Sequence, residues 1–334
     1  CLVADRESNK MLLLSCSGDV MFPSATKTNH QAIARFVSED GGETWTKPVD
    51  ISKQVYALFD GSSEDGAKSM FIGSGRIHQS RYTKVGQYYR LYCSVLFIAG
   101  NGTWHNYVIY SDDFGENWKL LGSPNQAPTT GDCNEPKAEE LPDGSVICSS
   151  RVLGGRKYNI FRFTDTAKGE GSWGTEAYSN ASNQGAIATG NSCNGEVLIL
   201  PVQRKADSKK MFLVLQSVPL GPGGRTNVGI HYKGLASYSD FDTPANLSKN
   251  FEGKHQASYM GSAYSTMTLQ NDHSIGFLYE ESTFGNDYTI VYKNYSIETI
   301  TDGKYTYDAS ATSADVMTDL SSITTTLSSQ QGNM

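Results

Sequence analysis

Two octets with the same pattern constrain this 334-residue chain more than any other feature. Residues 38–45 read SEDGGETW and residues 111–118 read SDDFGENW, so both carry S-x-D-x-G-x-x-W. The Ser and Asp side chains can bond to the backbone of a turn, the Gly takes a conformation that other residues resist, and the Trp can bury a large surface. Each octet follows an apolar run. Internal repetition of this kind predicts an architecture made of repeated strand units.

The rest of the chain also predicts strands. Short apolar runs are rich in β-branched and aromatic residues and are separated by polar turns. These runs are LVA (2–4), MLLLSC (11–16), QAIARFVS (31–38), YRLYCSVLFI (89–98) and NYVIYS (106–111). The first two should form a hairpin through the turn at residues 6–9, and residues 22–30 should form a polar loop. The fold class that follows is all-β.

Composition excludes several classes of function. The formal net charge of -7 argues against a nucleic-acid partner, which would need a basic face, although local Arg residues could still bind an anionic ligand. No apolar run approaches the length of a membrane span. The six cysteines include no C-x-x-C pair, so a zinc or redox motif is not expected. Cys93 and Cys148 sit in apolar runs and read as buried free thiols, while the pairing of the others stays open.

Residues 131–151, GDCNEPKAEELPDGSVICSSR, predict a strand–turn–strand unit with ionisable groups at its ends. The Pro-Asp-Gly at 142–144 is a turn signal, because Pro presets φ and Gly supplies positive φ. The run SVICSS that follows reads as a strand. Glu135 and Arg151 would then stand at the ends of paired strands. There they either face one pocket or flank a surface hairpin.

The octets and several later segments together resemble the sialidases (neuraminidases), in which the octet is called the Asp-box. The segments that carry the resemblance are FIGSGRIHQ (71–79), IYSDDFGENWKL (109–120), CNEPKAEELPDGSVICSSR (133–151), SVPLGPGGRTNVGIHY (217–232) and SAYSTMTL with SIGFLYE (262–280). The resemblance implies a six-bladed β-propeller over residues 1–308. Residues 309–334 are rich in Ser, Thr and Gln and are predicted to form a loosely packed or disordered tail.

The resemblance also implies a set of substrate-binding residues. Sialic acid carries a carboxylate on its anomeric carbon, and Arg offers a planar fork that suits a carboxylate. Arg151 and Arg225 match two members of the family's arginine triad. Glu280 matches the acid that orients the first triad Arg, and its neighbour Glu281 is the rival candidate. Arg76 is a further candidate to face the ligand.

The catalytic pair implied by the resemblance is Tyr264 with Glu135. Most glycosidases use two carboxylates, but sialidases with a Tyr nucleophile are an exception. A carboxylate nucleophile would be repelled by the carboxylate of the substrate, whereas a neutral Tyr is not. Tyr is a weak nucleophile near neutral pH and needs an adjacent base. Tyr264 matches the nucleophile, and Glu135 matches the base.

The sequence departs from the family pattern in two places. The first triad Arg normally precedes the first strand in an Arg-x-Pro, so it is expected upstream of Cys1, since Arg6 reads as a turn residue. The general-acid Asp is expected near residues 26–28, where the sequence has no Asp. Asp19 lies on the same connection. Either that loop brings Asp19 in or the acid is absent, and His30 is a further option.

Three functions are consistent with this pattern. The first is exo-acting hydrolysis of terminal α-linked sialic acid from glycoconjugates. The others are a propeller that binds sialylated glycans without efficient turnover, and a trans-sialidase that passes the sugar to another acceptor. None of this chemistry requires a metal or a cofactor. The resemblance and four Asn-x-Ser/Thr sequons are compatible with a secreted, periplasmic or cell-surface protein.

Overall fold

Strands dominate the computed structural model of the chain, which describes residues 1–283 and 286–317. The described strands form five antiparallel sheets, and each sheet takes most of its strands from one continuous part of the chain. The first sheet has the order β1–β2–β3–β4. Its strands are β1 (Leu2–Ala4), β2 (Met11–Ser17), β3 (Ala32–Ser38) and β4 (Val49–Asp50). The predicted hairpin of the first two strands is confirmed, because Val3 is paired with Leu12.

The second sheet has the order β10–β8–β7–β5, with β6 paired to β7 and β9 to β8. Its strands are β5 (Ala67–Ile72), β6 (His78–Val85), β7 (Tyr88–Ala99), β8 (Trp104–Ser111), β9 (Lys119–Leu120) and β10 (Thr129–Thr130). The third sheet has the order β11–β12–β13–β14, with β15 on β13. Its strands are β11 (Pro136–Glu140), β12 (Val146–Val152), β13 (Gly155–Asp165), β14 (Glu170–Trp173) and β15 (Ala177–Ser179).

The fourth sheet has the order β19–β18–β17–β16–β23, and the fifth has the order β20–β21–β22. Their strands are β16 (Val197–Arg204), β17 (Lys209–Pro219), β18 (Val228–Leu235), β19 (Gly253–Gln256), β20 (Ser262–Leu269), β21 (Ile275–Thr283), β22 (Asn286–Tyr295) and β23 (Tyr305–Tyr307). The prediction of six blades is wrong for the described residues, which hold five sheets. The last described strand, β23, starts no new sheet, because it pairs with β16 and widens the fourth.

Helices are short and lie in the connections. The α-helices are α1 (Ser52–Ala57), α2 (Pro244–Ser248) and α3 (Ile297–Ile300), and residues 313–317 are helical as well. The 3₁₀ turns are Phe22–Ser24, Ala181–Asn183 and Tyr238–Asp240. No helix in the described ranges is long and apolar enough to cross a membrane. Most of the predicted C-terminal tail, from residue 318 onward, lies outside the described residues.

The chain divides into two compact units. The first comprises residues 1–140, 144–152 and 159–176, and the second comprises residues 141–143, 153–158 and 177 onward. The core of the first unit is made by alternate residues of its strands, such as Leu12, Leu14 and Ile33, which are fully buried. Cys93 belongs to the same core, and the expectation that Cys93 and Cys148 are buried is confirmed.

Both octets form the same turn. In the first, Ser38 Oγ donates to Asp40 Oδ1 over 2.7 Å, the amide of Thr44 donates to the same oxygen over 2.9 Å, and the amide of Gly42 donates to Ser38 Oγ over 2.8 Å. The second octet repeats these three bonds at 2.8 Å each, with Ser111, Asp113, Asn117 and Gly115. The hydrogen bonds of Thr44 hold the pKa of Asp40 at about 2.

The two tryptophans of the octets differ. Trp118 is 3% exposed and packs into the core of the first unit, as expected. Trp45 is 37% exposed, and its indole N–H donates to the carbonyl of Gly42 within its own turn. The burial expected from the pattern therefore holds at the second octet and is wrong at the first. The turn hydrogen bonds, rather than tryptophan burial, are what the repeats share.

Candidate functional site

Tyr264 stands at an irregularity of the fifth sheet. The register of β20 on β21 pairs Ser262 with Glu281 and Ser265 with Tyr279. Two residues of β20 therefore face the single residue Glu280, which is the signature of a β-bulge. A bulge frees one residue from the ladder and re-aims its side chain, and bulges are frequent beside active sites. The bulge makes Tyr264 unlike an ordinary strand tyrosine.

Glu280 completes the bulge. Its Oε2 atom accepts a hydrogen bond from the backbone amide of Tyr264 over 3.1 Å. A backbone N–H that leaves the ladder needs another acceptor, because an unpaired buried amide is costly. The sequence-predicted residues Tyr264 and Glu280 are thus in direct contact. Glu281, the rival of Glu280, points elsewhere and accepts a bond from Tyr279 Oη over 3.3 Å.

Arg225 lies over the ring of Tyr264. Its guanidinium carbon is 5.3 Å from the ring centroid, within the range of a cation–π contact. Its carbonyl accepts the amide of Ser262 over 2.9 Å, and its neighbour Thr226 bridges to Gly261. These backbone bonds fix the loop of Arg225 against the start of β20. Arg225 is half-buried and makes no ion pair with any residue in the described part of the chain.

A buried polar network holds the strand just beyond Tyr264. Ser265 Oγ donates to Ser217 Oγ over 2.8 Å, and Thr266 Oγ1 donates to Glu196 Oε2 over 3.0 Å. Ser217, Ser265 and Glu196 are buried. Buried polar groups that are hydrogen-bonded rigidify and specify a local geometry. The sequence pattern did not reveal this network, because its members come from three separate strands and loops of the second unit.

Glu135 and Arg151 form a second group, in the first unit. The β11–β12 ladder pairs Pro136 with Ser150, and the backbone bond from the Arg151 amide to the Glu135 carbonyl, 3.3 Å, extends it by one residue. Their side chains meet, with Arg151 Nη1 donating to Glu135 Oε2 over 2.6 Å. Glu135 is 5% exposed. The predicted strand–turn–strand unit is confirmed, with Gly144 at φ +81° in the turn.

Arg76, in the same unit, takes part in an ionic cluster that sequence reasoning missed. Its guanidinium binds Glu139, a fully buried carboxylate that also lies 3.1 Å from His78 and 2.8 Å from Arg81. Burial acts to raise the pKa of Glu139, but the three basic side chains outweigh it and hold that pKa at about 2. Glu140, beside it, is buried too. The sequence signal for this cluster is the adjacent pair Glu139 and Glu140 inside a predicted strand.

The candidates for the general acid take part in none of the contacts described above. Asp19 is exposed, in the bend just after β2, and forms no hydrogen bond or ion pair with the residues that the structure describes. His30 stacks on Tyr56 with ring centroids 3.9 Å apart, and its Nδ1 is 3.1 Å from the carbonyl of Lys68. The assignment of the acid therefore stays a prediction.

No protein-family model and no curated protein matches the chain. Solved structures do match it. The chain is similar to the Hadza microbial sialidase Hz136, with 18% identity and a TM-score of 0.65 over 90% of this chain and 52% of that one. It is also similar to the intramolecular trans-sialidase from Ruminococcus gnavus, with 22% identity, a TM-score of 0.59 and coverage of 81% and 52%.

A third similar structure is the Trypanosoma rangeli sialidase, with 18% identity, a TM-score of 0.58 and coverage of 89% of this chain and 44% of that one. The chain thus spans about half the length of these proteins. Identities this low show the fold alone. At that level the resemblance seen in the sequence is confirmed, and the chain has the all-β propeller fold of the sialidases.

Proposed function

We propose that the chain is an exo-acting sialidase that hydrolyses terminal α-linked sialic acid from glycoconjugates with retention of configuration. The observation that carries the proposal is the group of Tyr264, Arg225 and Glu280. A tyrosine at a β-bulge has its amide bonded to a carboxylate and its ring under a guanidinium. Sialidase-fold neighbours at 18–22% identity support the same chemistry.

The substrate explains this choice of residues. Sialic acid carries its carboxylate on the carbon that is attacked, so a fixed positive charge must lie close to the nucleophile. Arg225 supplies that charge beside Tyr264, and a charge-assisted bond between guanidinium and carboxylate is among the strong ones. A phenol, unlike an aspartate, brings no negative charge of its own toward the substrate.

The proposed reaction has two steps. In the first, Tyr264 Oη attacks the anomeric carbon and loses its proton to a base, while the glycosidic oxygen leaves and takes a proton from an acid. In the second, water attacks the same carbon and gives a proton to the conjugate base of the acid, while the bond to Tyr264 breaks and the phenolate takes its proton back from the base. Two inversions give net retention. The roles of Glu135 as base, Arg151 as second carboxylate ligand, Arg76 as a ligand contact and Asp19 as acid come from the sequence resemblance.

The test is an assay of free sialic acid released from sialyllactose by the full chain and by Tyr264→Phe. We expect the variant to lose turnover by about 10³-fold or more while still binding a sialic acid analogue, because only the nucleophilic oxygen is removed. Tyr259→Phe is the matched control, since Tyr259 is 80% exposed in the loop just before β20. Unchanged turnover in Tyr264→Phe would exclude Tyr264 as the nucleophile.

A transferase is the second candidate, and it is favoured by similarity to an intramolecular trans-sialidase from Ruminococcus gnavus. The same assay separates it, provided that total product is measured beside free sialic acid. An intramolecular transferase would consume sialyllactose without releasing an equal amount of free sialic acid. An intermolecular one would move sialic acid to added lactose labelled on its glucose. Binding without consumption of sialyllactose would instead support a glycan-binding propeller.

The proposed partners are sialylated glycans or glycoproteins. A secreted, periplasmic or cell-surface location is proposed with them, because terminal sialic acids are displayed on the outside of cells. Fractionation of a producing cell, with detection of the chain in each fraction, tests the location.

A further inference from the structure

Two thiols from distant parts of the first unit lie in contact. Cys1 Sγ is 3.6 Å from Cys93 Sγ, although the two residues are 92 positions apart in the chain. Both cysteines are free. We propose that Cys1 and Cys93 are a site of oxidation by low-molecular-weight disulfides, and that the product is a Cys1–Cys93 disulfide that ties the start of β1 to the middle of β7. This inference does not depend on the proposed function.

The backbone presents Cys1 to its partner. The carbonyl of Cys1 accepts the amide of Leu14 over 2.9 Å, and its nitrogen donates to the Leu14 carbonyl over 2.7 Å. The next residue, Leu2, donates its amide to Gly75 over 3.1 Å. These main-chain bonds hold the backbone of Cys1 beside Cys93. A disulfide needs the sulfurs about 2.05 Å apart, so the remaining approach of about 1.5 Å can come from side-chain rotation.

The exchange proceeds in two steps that balance. The Cys1 thiolate attacks one sulfur of the small disulfide, forming a mixed disulfide and releasing one small thiolate. Cys93 then loses its proton and attacks Cys1 Sγ, which expels the second small thiolate. Two protein thiols are oxidised, and one small disulfide is reduced to two thiols.

Exposure decides the order of these steps. Cys1 is half-buried whereas Cys93 is 1% exposed, so Cys1 is the more accessible of the two residues and is expected to react first. Burial raises the pKa of Cys93 to about 11, so little of this thiol is ionised near neutral pH. The second step needs no diffusing reagent, however, because the attacked sulfur is already its neighbour.

Cys16 provides a matched control inside the same core. It is also half-buried and packs against the cluster that holds Cys93. Its sulfur accepts the amide of Ile72 over 3.4 Å and has no other sulfur within bonding contact in the described residues. Replacing Cys16 should therefore leave the cross-link intact.

The cross-link would hold one side of a segment that includes Arg76. Leu2 accepts the amide of Ile77 over 2.8 Å and donates to Gly75, so β1 runs parallel to the residues around Arg76. The disulfide would join β1 to β7, and β1 is the strand to which residues 75–77 are hydrogen-bonded. We therefore expect the oxidised form to be the more stable one.

The test is to incubate the full folded chain with oxidised glutathione, quench in acid, alkylate the remaining thiols under denaturing conditions, and digest without reduction. We expect mass spectrometry to find the peptide of Cys1 joined to the peptide of Cys93 in wild type and in Cys16→Ser. Neither Cys93→Ser nor Cys93→Ala should give a cross-link. We also expect oxidation to raise Tm by on the order of 5–10 °C in wild type and Cys16→Ser, reversibly with reductant, because the closed loop is long.

Several outcomes would overturn the proposal. One is recovery of both cysteines as alkylated thiols, or as separate glutathione adducts, from oxidised folded protein. Another is a cross-link from Cys1 to Cys16 instead. If the Cys93 variants fold poorly, the peptide map of wild type and Cys16→Ser still decides the case, because it does not use them.

Discussion

At the scale of single residues, Glu280 has two possible roles that a pair of substitutions separates. The structure shows Glu280 Oε2 accepting the amide of Tyr264 over 3.1 Å, so its carboxylate secures the bulge. Glu280→Gln keeps an oxygen acceptor, whereas Glu280→Leu removes it. We expect kcat for sialyllactose to fall by about 10²-fold in the Leu variant and far less in the Gln variant, since misplacing a catalytic group by about 1 Å costs that much.

The activity of the Glu280→Gln variant decides between the two roles. If the charge of Glu280 is needed to orient a triad arginine, as the family resemblance implies, Gln should be as harmful as Leu. Glu281→Gln serves as the control, because Glu281 bonds to Tyr279 and not to Tyr264. A loss in Glu281→Gln equal to that in Glu280→Leu would show that the sheet, rather than the bulge, was disturbed.

Asp19 is the second residue whose role can be tested directly. A general acid protonates the leaving oxygen, so its contribution grows with the basicity of the leaving group. An aryl sialoside leaves as a weakly basic phenolate, whereas sialyllactose leaves as a basic alkoxide. If Asp19 is the acid, Asp19→Ala should lose about 10²–10⁴-fold on sialyllactose and little on the aryl substrate. Parallel losses on both substrates would contradict this role.

At the scale of elements, the octet turn is set by its glycine as much as by its Asp. Gly115 has φ +85°, and a Cβ built there would lie 2.5 Å from Leu12 Cδ2. Gly115→Ala should therefore combine left-handed strain of about 1–2 kcal/mol with overpacking of about 1–3 kcal/mol. Denaturant unfolding should show a loss of roughly 2–5 kcal/mol.

Gly41, one position before the shared glycine of the first octet, is the control for left-handed strain without a close contact. It has φ +76° in the first octet, but a Cβ there would meet nothing within 4 Å. Gly41→Ala should lose only the stability that corresponds to left-handed strain, about 1–2 kcal/mol. Equal losses in the two variants would show that the contact with Leu12 is relieved by side-chain movement and that packing is not what fixes the turn.

Elements with local causes could be predicted from the sequence. The pairing of Glu135 with Arg151 follows from one turn signal and two short strands. The bulge at Tyr264 could not be predicted, because it depends on the register of β20 against a partner strand. The exposure of Trp45 could not be predicted either, since it depends on what lies beside the turn and not on the octet itself.

At the scale of the whole molecule, the number of sheets was the part that sequence reasoning missed. An apolar run predicts that a segment forms a strand, but it does not identify the strand with which that segment pairs. β23 pairs with β16, which lies about a hundred residues earlier, so it adds a strand to the fourth sheet and starts no sheet of its own. The family resemblance predicts the propeller class, whereas the number of sheets in the described residues follows from their strand pairings.

The last prediction concerns the stability of the chain in acid. Glu139 is fully buried, and its pKa is lowered from 4.5 to about 2, because the surrounding basic side chains outweigh the opposing effect of burial. A carboxyl whose pKa is lower in the folded state stabilises the fold fully above its unfolded pKa. That contribution is lost as pH falls from about 4.5 toward about 2. The shift corresponds to about 3 kcal/mol.

Glu139→Gln should weaken this dependence. The amide cannot ionise, so the variant should be less stable than wild type at pH 7 by about 3 kcal/mol, since three basic side chains lose their partner. Its free energy of unfolding should then fall less steeply than that of wild type between pH 5 and pH 3, as measured by denaturant titrations at each pH. Glu43→Gln, at an exposed position, should follow wild type throughout. If Glu139→Gln loses stability in parallel with wild type, the acid sensitivity comes from other carboxylates, of which the adjacent buried Glu140, whose pKa is also lowered, is the first to test.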